Sequence, residues 1–345
     1  MSSKTYGRLL MTAALALYAL FFALQALLHE PADHARHEAQ RKEAQAQLAE
    51  QEKRVQSRFE RQPELMRFSA FGLLALMYWG TFFNVYFGRR WMRGEPWPVE
   101  RSGLGSTPRW GPDDAWAAIA MLFLIELALF AGQVLVGLAA GWKNDHPDSW
   151  FLVSGLVRNV LVTLFIAFLL RKRFGHAFTD LGLKDPKWKA QMGYGLLAYV
   201  AMIPPLVISL IAVAVVMKLF QAEPEPQEVV QVFLRQGAEP FLIGLTFFVA
   251  LAGPVMEEIF FRGFLYAGFR SRFGAPAGAL MSAVVFAALH LHAPAFFPIL
   301  LLGLFLAYLY EVSGSLVAPV TVHIVHNAVM VSLTMGFKYL SGPSA

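Results

Sequence analysis

Apolar blocks alternate with short polar stretches along most of the chain. Blocks near residues 9–28, 66–88, 116–140, 150–170, 194–219 and 240–266 reach the roughly 18 residues or more that a helix needs to cross a bilayer core. Three shorter blocks follow, near 276–291, 297–311 and 315–337. The pattern predicts an all-α fold, a polytopic transmembrane bundle of about eight to nine membrane helices. The polar segment from Glu30 to Glu64 is rich in Ala, Gln, Glu and Arg, carries eight acidic and seven basic side chains, and lacks a sustained apolar stripe. It is expected to form a solvated helix or helical hairpin. Between Gly94 and Pro112 the Gly, Pro and Trp content rises and periodicity stops, which marks a surface loop. The chain divides into an anchor with a polar extramembrane helical segment (1–65), additional membrane helices with a cytoplasmic loop (66–170), a core of further helices (171–337) and a short tail (338–345).

Composition narrows this further. With 57% hydrophobic and 15% charged residues, the chain departs far from the average soluble domain, so a soluble globular enzyme is excluded. The net charge of +5 does not point to nucleic acid, because much of the Lys and Arg sits in short loops beside apolar blocks, where it orients a bundle. Arg89, Arg90, Arg93, Arg101 and Arg109 lie in one such loop, and Arg171, Lys172, Arg173, Lys184, Lys187 and Lys189 in another. Both are expected in the cytoplasm, as is the N-terminus with Lys4 and Arg8, while the loops at 142–149 and 221–239 face the other side. The 30–64 segment, also placed outside, carries seven basic residues against this rule, balanced by its acids. The block 9–28 follows basic residues as a signal peptide would, but no small-residue cleavage site follows, and it is read as an anchor. Cysteine is absent, which removes disulfides, thiolate metal sites and a cysteine nucleophile.

Ionisable side chains inside apolar blocks are costly and therefore candidates for function: Glu126, Arg158, Glu257, Glu258, Arg262, His290, His323 and His326. Glu126 and Arg158 are read as a structural ion pair between the third and fourth spans, or Arg158 as an interfacial snorkel. Glu257 and Glu258 differ, since two adjacent carboxylates cannot both be cheap to bury. Glu258 and Arg262 are four apart and can pair on one helix face, whereas Glu257 points about 100° away, free for work as a general base. Phe286 precedes His290 by four residues, and His323 precedes Asn327 by four. Measured from the cytoplasmic ends of their helices at about 1.5 Å per residue, Glu257, His290, His323 and Asn327 lie roughly 14, 21, 12 and 18 Å deep. A water between Glu257 and His290 could then attack a carbonyl, with His323 and Asn327 donating to the oxyanion. Zinc held by Glu257, His290 and His323, with a fourth position open to water, is the competing arrangement, and no other cofactor is implied. His29-Glu30 with His34 imitates a zinc-protease motif, but the histidine spacing is five and Pro31 intervenes, so these are read as solvated loop residues. Gly303, within an apolar block, is expected to mark close packing.

Glu257-Glu258 with Arg262, Phe286 with His290, and His323 with Asn327 resemble the EExxxR, FxxxH and HxxxN motifs of the CPBP family, the CAAX-processing and bacteriocin-processing intramembrane proteases. The resemblance spans roughly 171–337 and includes the lead-in Phe178-Thr179-Asp180-Leu181-Gly182-Leu183. It implies that Glu257 and His290 activate water, that His323 and Asn327 bind the oxyanion, and that Glu258 and Arg262 support the site. The family is described both as metalloproteases and as glutamate proteases, so the resemblance leaves the metal open. It assigns no role to His326. The expected partners are the lipid bilayer and a membrane-associated protein or peptide substrate, with no nucleic acid; segment 30–64 could dock a partner outside the membrane. Prenylated C-termini, bacteriocin leaders and C-terminal sorting tails all suit such a site. A non-proteolytic scaffold or immunity protein and a small proton-coupled transporter are the readings from other classes. The expected location is a bacterial inner (plasma) membrane.

Overall fold

The computed structural model describes Thr12 and residues 31–93, 95, 108–140, 147–175, 178–222, 226–235, 237 and 239–342. Its helices are α1 (Pro31–Arg61), α2 (Pro63–Met92), α3 (Pro112–Ala140), α4 (Pro147–Phe168), α5 (Trp188–Leu219), α6 (Glu228–Arg235), α7 (Glu239–Phe247), α8 (Gly253–Glu258), α9 (Ala267–Ala288), α10 (Ala293–Ser313) and α11 (Val317–Ser341). Wider π-helical turns extend α4 (Leu169–Phe174), join α7 to α8 (Phe248–Ala252) and join α8 to α9 (Ile259–Tyr266). Among the described residues there is no strand. Proline opens each of the first four helices, the position where its missing N–H costs nothing and its fixed φ is already helical.

Seven helical runs among the described residues are long and apolar enough to cross a membrane, and the protein is an integral multi-pass membrane protein. The longest, Pro240–Ala288, contains two of the expected spans. Gly274 (φ 80°, ψ 170°) interrupts it inside α9, and the chain folds back. A Cβ at Gly278 would sit 2.8 Å from the Arg270 amide nitrogen, and the Ser282 hydroxyl donates to the Phe261 carbonyl at 2.9 Å. The two arms are therefore antiparallel, which carries residues near 290 back to the level of residues near 257. The expected span 9–28 and His29 lie outside the described residues, apart from Thr12. Residues 31–61 form one helix rather than a hairpin, and His34 is on that helix rather than in a loop.

Loop placement follows the charge pattern. At one end, Arg109 donates to the Phe174 carbonyl and Arg173 pairs with Asp114 at 2.9 Å, so the two basic loops meet. At the other, Arg235 pairs with Asp148 at 2.9 Å, Lys338 donates to the Phe233 carbonyl and Arg58 to the Gly342 carbonyl. The end of α1 thus lies with the sparsely charged loops, opposite the basic ones. Large apolar side chains such as Phe68, Phe71, Leu74, Ile208 and Ile243 are exposed around the bundle, a surface that only lipid makes favourable. The core runs between α3, α4, α5, α9, α10 and α11 around Ile166, Leu170, Phe264, Phe269, Leu306 and Leu316.

The lead-in at 178–183 docks onto the α10–α11 turn. The Gly182 carbonyl accepts from the Leu316 amide at 3.2 Å and from the Ser315 hydroxyl at 3.1 Å, while the Tyr310 hydroxyl donates to the Leu181 carbonyl at 3.2 Å. Gly182 has φ +81°, and a Cβ there would lie 2.8 Å from both the Gly314 carbonyl oxygen and Ser315 Cα. Left-handed backbone costs an ordinary residue about 1–2 kcal/mol, and here the obstruction is backbone, which cannot swing aside. Gly182→Ala is therefore expected to lower the thermal unfolding temperature in lipid nanodiscs by several degrees. Unchanged unfolding would show that this turn does not hold α11 in place.

Candidate functional site

The local structure around Glu257 is set by Pro254. Proline lacks an N–H and crowds the carbonyl four residues back. In the preceding turn the Gly253 amide reaches the Phe248 carbonyl, a five-residue step that widens the helix. The Val249 carbonyl then has no donor in its own helix, because its partner in that wide register would be Pro254. Asn327 Nδ2 on α11 supplies the bond at 2.8 Å. A second π-turn, Ile259–Tyr266, follows at once, with every residue in it buried. Such wide turns within helices are frequent at functional sites.

Between these turns α8 presents its two carboxylates differently. Glu258 is fully buried; its Oε1 accepts from Arg262 Nη1 at 2.7 Å and from His323 Nδ1 at 2.8 Å. Arg262, also fully buried, reaches the Gly303 carbonyl with Nη2 at 3.3 Å and lies 4.5 Å over the Phe286 ring. The approach requires glycine at 303, where a Cβ would already stand 3.0 Å from that of Ala283. Phe286 also meets the His290 ring at 4.8 Å and the His323 ring at 5.7 Å. One aromatic side chain thus packs against the buried cation and both histidines.

Glu257 is only partly buried, and its Oε2 lies 3.8 Å from His323 Nε2. His290 is solvent-exposed beyond the end of α9, with Nδ1 2.7 Å from the Phe286 carbonyl. A carbonyl can only accept, so Nδ1 of His290 carries hydrogen and, in the neutral ring, Nε2 offers a lone pair. Likewise a neutral His323 that donates from Nδ1 to Glu258 keeps Nε2 as an acceptor, and it must carry both protons to donate there. Glu257, Glu258, Arg262, His290 and His323 are thus drawn together by α8, the second π-turn, α9 and α11. Asn327 is one helical turn beyond His323, with an amide hydrogen committed to Val249. His326 packs against Tyr199 at 6.1 Å, on the side of α5.

Among the described residues no group of three or more His, Asp and Glu side chains is arranged to hold a metal ion. Glu257, His290 and His323 do not form a ready set of zinc ligands. A cavity of about 420 Å³ lies elsewhere, between α2, α5 and α10, lined by Asn84, Phe87, Tyr194 and Phe305, and contains none of these side chains. Glu126 and Arg158 form an ion pair at 2.7 Å, as expected. Their neighbour Asn159, which the sequence reading passes over, brings its amide beside Gly253. The signal was present as a second polar residue adjoining Arg158 within an apolar block.

Residues 239–329 match the family model described as type II CAAX prenyl endopeptidase Rce1-like. All seven motif residues, from Glu257 to Asn327, fall within that stretch. No curated protein and no solved structure matches the chain. The match bears out the resemblance to CAAX-processing membrane proteases and supports, at family level, a CAAX-type intramembrane endopeptidase.

Proposed function

We propose that this protein hydrolyses a peptide bond near the C-terminus, or in the membrane-embedded tail, of a membrane-associated protein, with Glu257 and His290 activating the water. The observation that carries this reading is the division of labour within the matched segment. A fully buried Glu258–Arg262–His323 network stands behind a more open carboxylate, Glu257, and an exposed imidazole, His290. Buried, ion-paired charges fix geometry, while groups that reach an opening can meet substrate and water.

The step follows from the donor and acceptor roles. Water donates one O–H to the Glu257 carboxylate and the other towards Nε2 of His290. As its oxygen bonds to the scissile carbonyl carbon, one proton passes to Glu257 or His290, and the same group returns it to the leaving amine nitrogen as the C–N bond breaks. His323 stabilises the oxyanion when Nε2 carries a proton, with Glu258 accepting from Nδ1. Asn327 contributes through its second amide hydrogen and by holding the turn that precedes α8. The basic end of the bundle faces the cytoplasm, in a bacterial inner membrane.

The test is comparative mass spectrometry of protein C-termini from cells carrying the wild-type protein or Glu257→Gln. Specific C-terminal or juxtamembrane cleavages should vanish in the variant. If every terminus is the same while a deletion strain keeps its phenotype, the protein acts as a non-catalytic scaffold.

A further inference from the structure

We infer that Asn159 on α4 is a further catalytic group, donating a hydrogen bond from Nδ2 to the water that Glu257 deprotonates. This rests on the proposed hydrolytic reading. Its Nδ2 is buried and has no hydrogen-bond partner among the described residues, an expensive condition for an amide unless it serves a bound group. Its orientation is set on the other side, where Oδ1 accepts from Arg158 Nε at 3.5 Å and Arg158 is anchored to Glu126 at 2.7 Å. The free N–H therefore faces away from that pair.

Gly253 defines what it faces. A Cβ built there would lie 3.9 Å from Asn159 Nδ2, 3.8 Å from Glu257 Oε1 and 2.9 Å from the Phe248 carbonyl oxygen. The amide donor and the carboxylate acceptor thus flank the same bare face of the helix, which a side chain at 253 would crowd. A water there can donate one O–H to Glu257 and accept from Asn159, and it retains a lone pair for attack. Asn159 differs in this from Asn327, whose Nδ2 is already bonded to Val249. Polar groups on two helices that flank one glycine suit a bound water, since such a water needs several partners.

Two substitutions separate donation from mere support of Arg158. Asn159→Asp keeps an acceptor for Arg158 and nearly the same shape but removes the donor; Asn159→Leu removes both. Cleavage would be followed in pulse-labelled cells on the C-terminal tails that differ between wild type and Glu257→Gln, and kcat and KM measured on a peptide copying such a tail. Both variants should lose about 100-fold in kcat, the scale of one lost transition-state donor, with KM little changed and thermal unfolding of the Asp variant near wild type. Wild-type kcat in Asn159→Asp or Asn159→Leu, beside an inactive Glu257→Gln, overturns this inference alone. A Glu257→Gln variant as active as wild type overturns the hydrolytic reading and this inference with it.

Discussion

Glu257→Gln is expected to reduce kcat by about 10³-fold or more, His290→Ala by a comparable factor, and the pair together by little more than either alone. A positioned acid–base group contributes roughly 10²–10⁴-fold, and groups that share one water act as a unit, so their losses do not multiply. The fold should survive each change. Glu257 is partly open and lies 3.8 Å from the His323 ring nitrogen Nε2, so the neutral, nearly isosteric Gln breaks no buried carboxylate–guanidinium pair. His290 holds the Phe286 carbonyl and meets its ring at 4.8 Å, and the rest of it is exposed. Steady-state kinetics with thermal unfolding on the same preparations would check this. A multiplicative loss in the double variant would mean that the two side chains serve separate steps, and the shared-water mechanism would fall.

How much of this arrangement was legible beforehand depends on the distance over which each feature is determined. Apolar block length fixed the membrane helices, and loop charge fixed which loops share an end, because both are local or additive properties of the chain. The i,i+4 pairing of Glu258 and Arg262 was readable for the same reason and is observed at 2.7 Å. The fold-back was legible in outline, as two apolar blocks near 240–266 and 276–291, but not the glycine conformation that makes it. The hydrogen bond of Asn327 was hidden because it answers a vacancy created elsewhere. Pro254 leaves the Val249 carbonyl without a donor, and only the packing of α11 against that turn brings Asn327 to it. Asn159 escaped for a related reason, since its role depends on the absence of a side chain at Gly253, on another helix. Phe286 showed only its spacing from His290, whereas its contact with Arg262 needs the antiparallel arms.

Arg262→Met is expected to destabilise the protein by about 3–5 kcal/mol, the range found when one partner of a buried ion pair is removed. The damage comes from what remains. Glu258 has no exposed surface, its Oε2 has no hydrogen-bond partner among the described residues, and without Arg262 only His323 would face its charge. The cation over Phe286 is lost as well, a contact worth up to about 2 kcal/mol when desolvated. Adding Glu258→Gln to Arg262→Met should recover much of the stability, because the stranded carboxylate is then neutral and the Met chain fills most of the arginine's volume. The double variant should nevertheless stay inactive, since His323 would have lost the carboxylate that accepts from its Nδ1. Thermal unfolding in nanodiscs, with cleavage rates on the same samples, separates the two effects. If Arg262→Met alone unfolds at the wild-type temperature, the pair is not buried as described. If the rescued double variant cleaves at the wild-type rate, the network contributes stability but no geometry to the reaction.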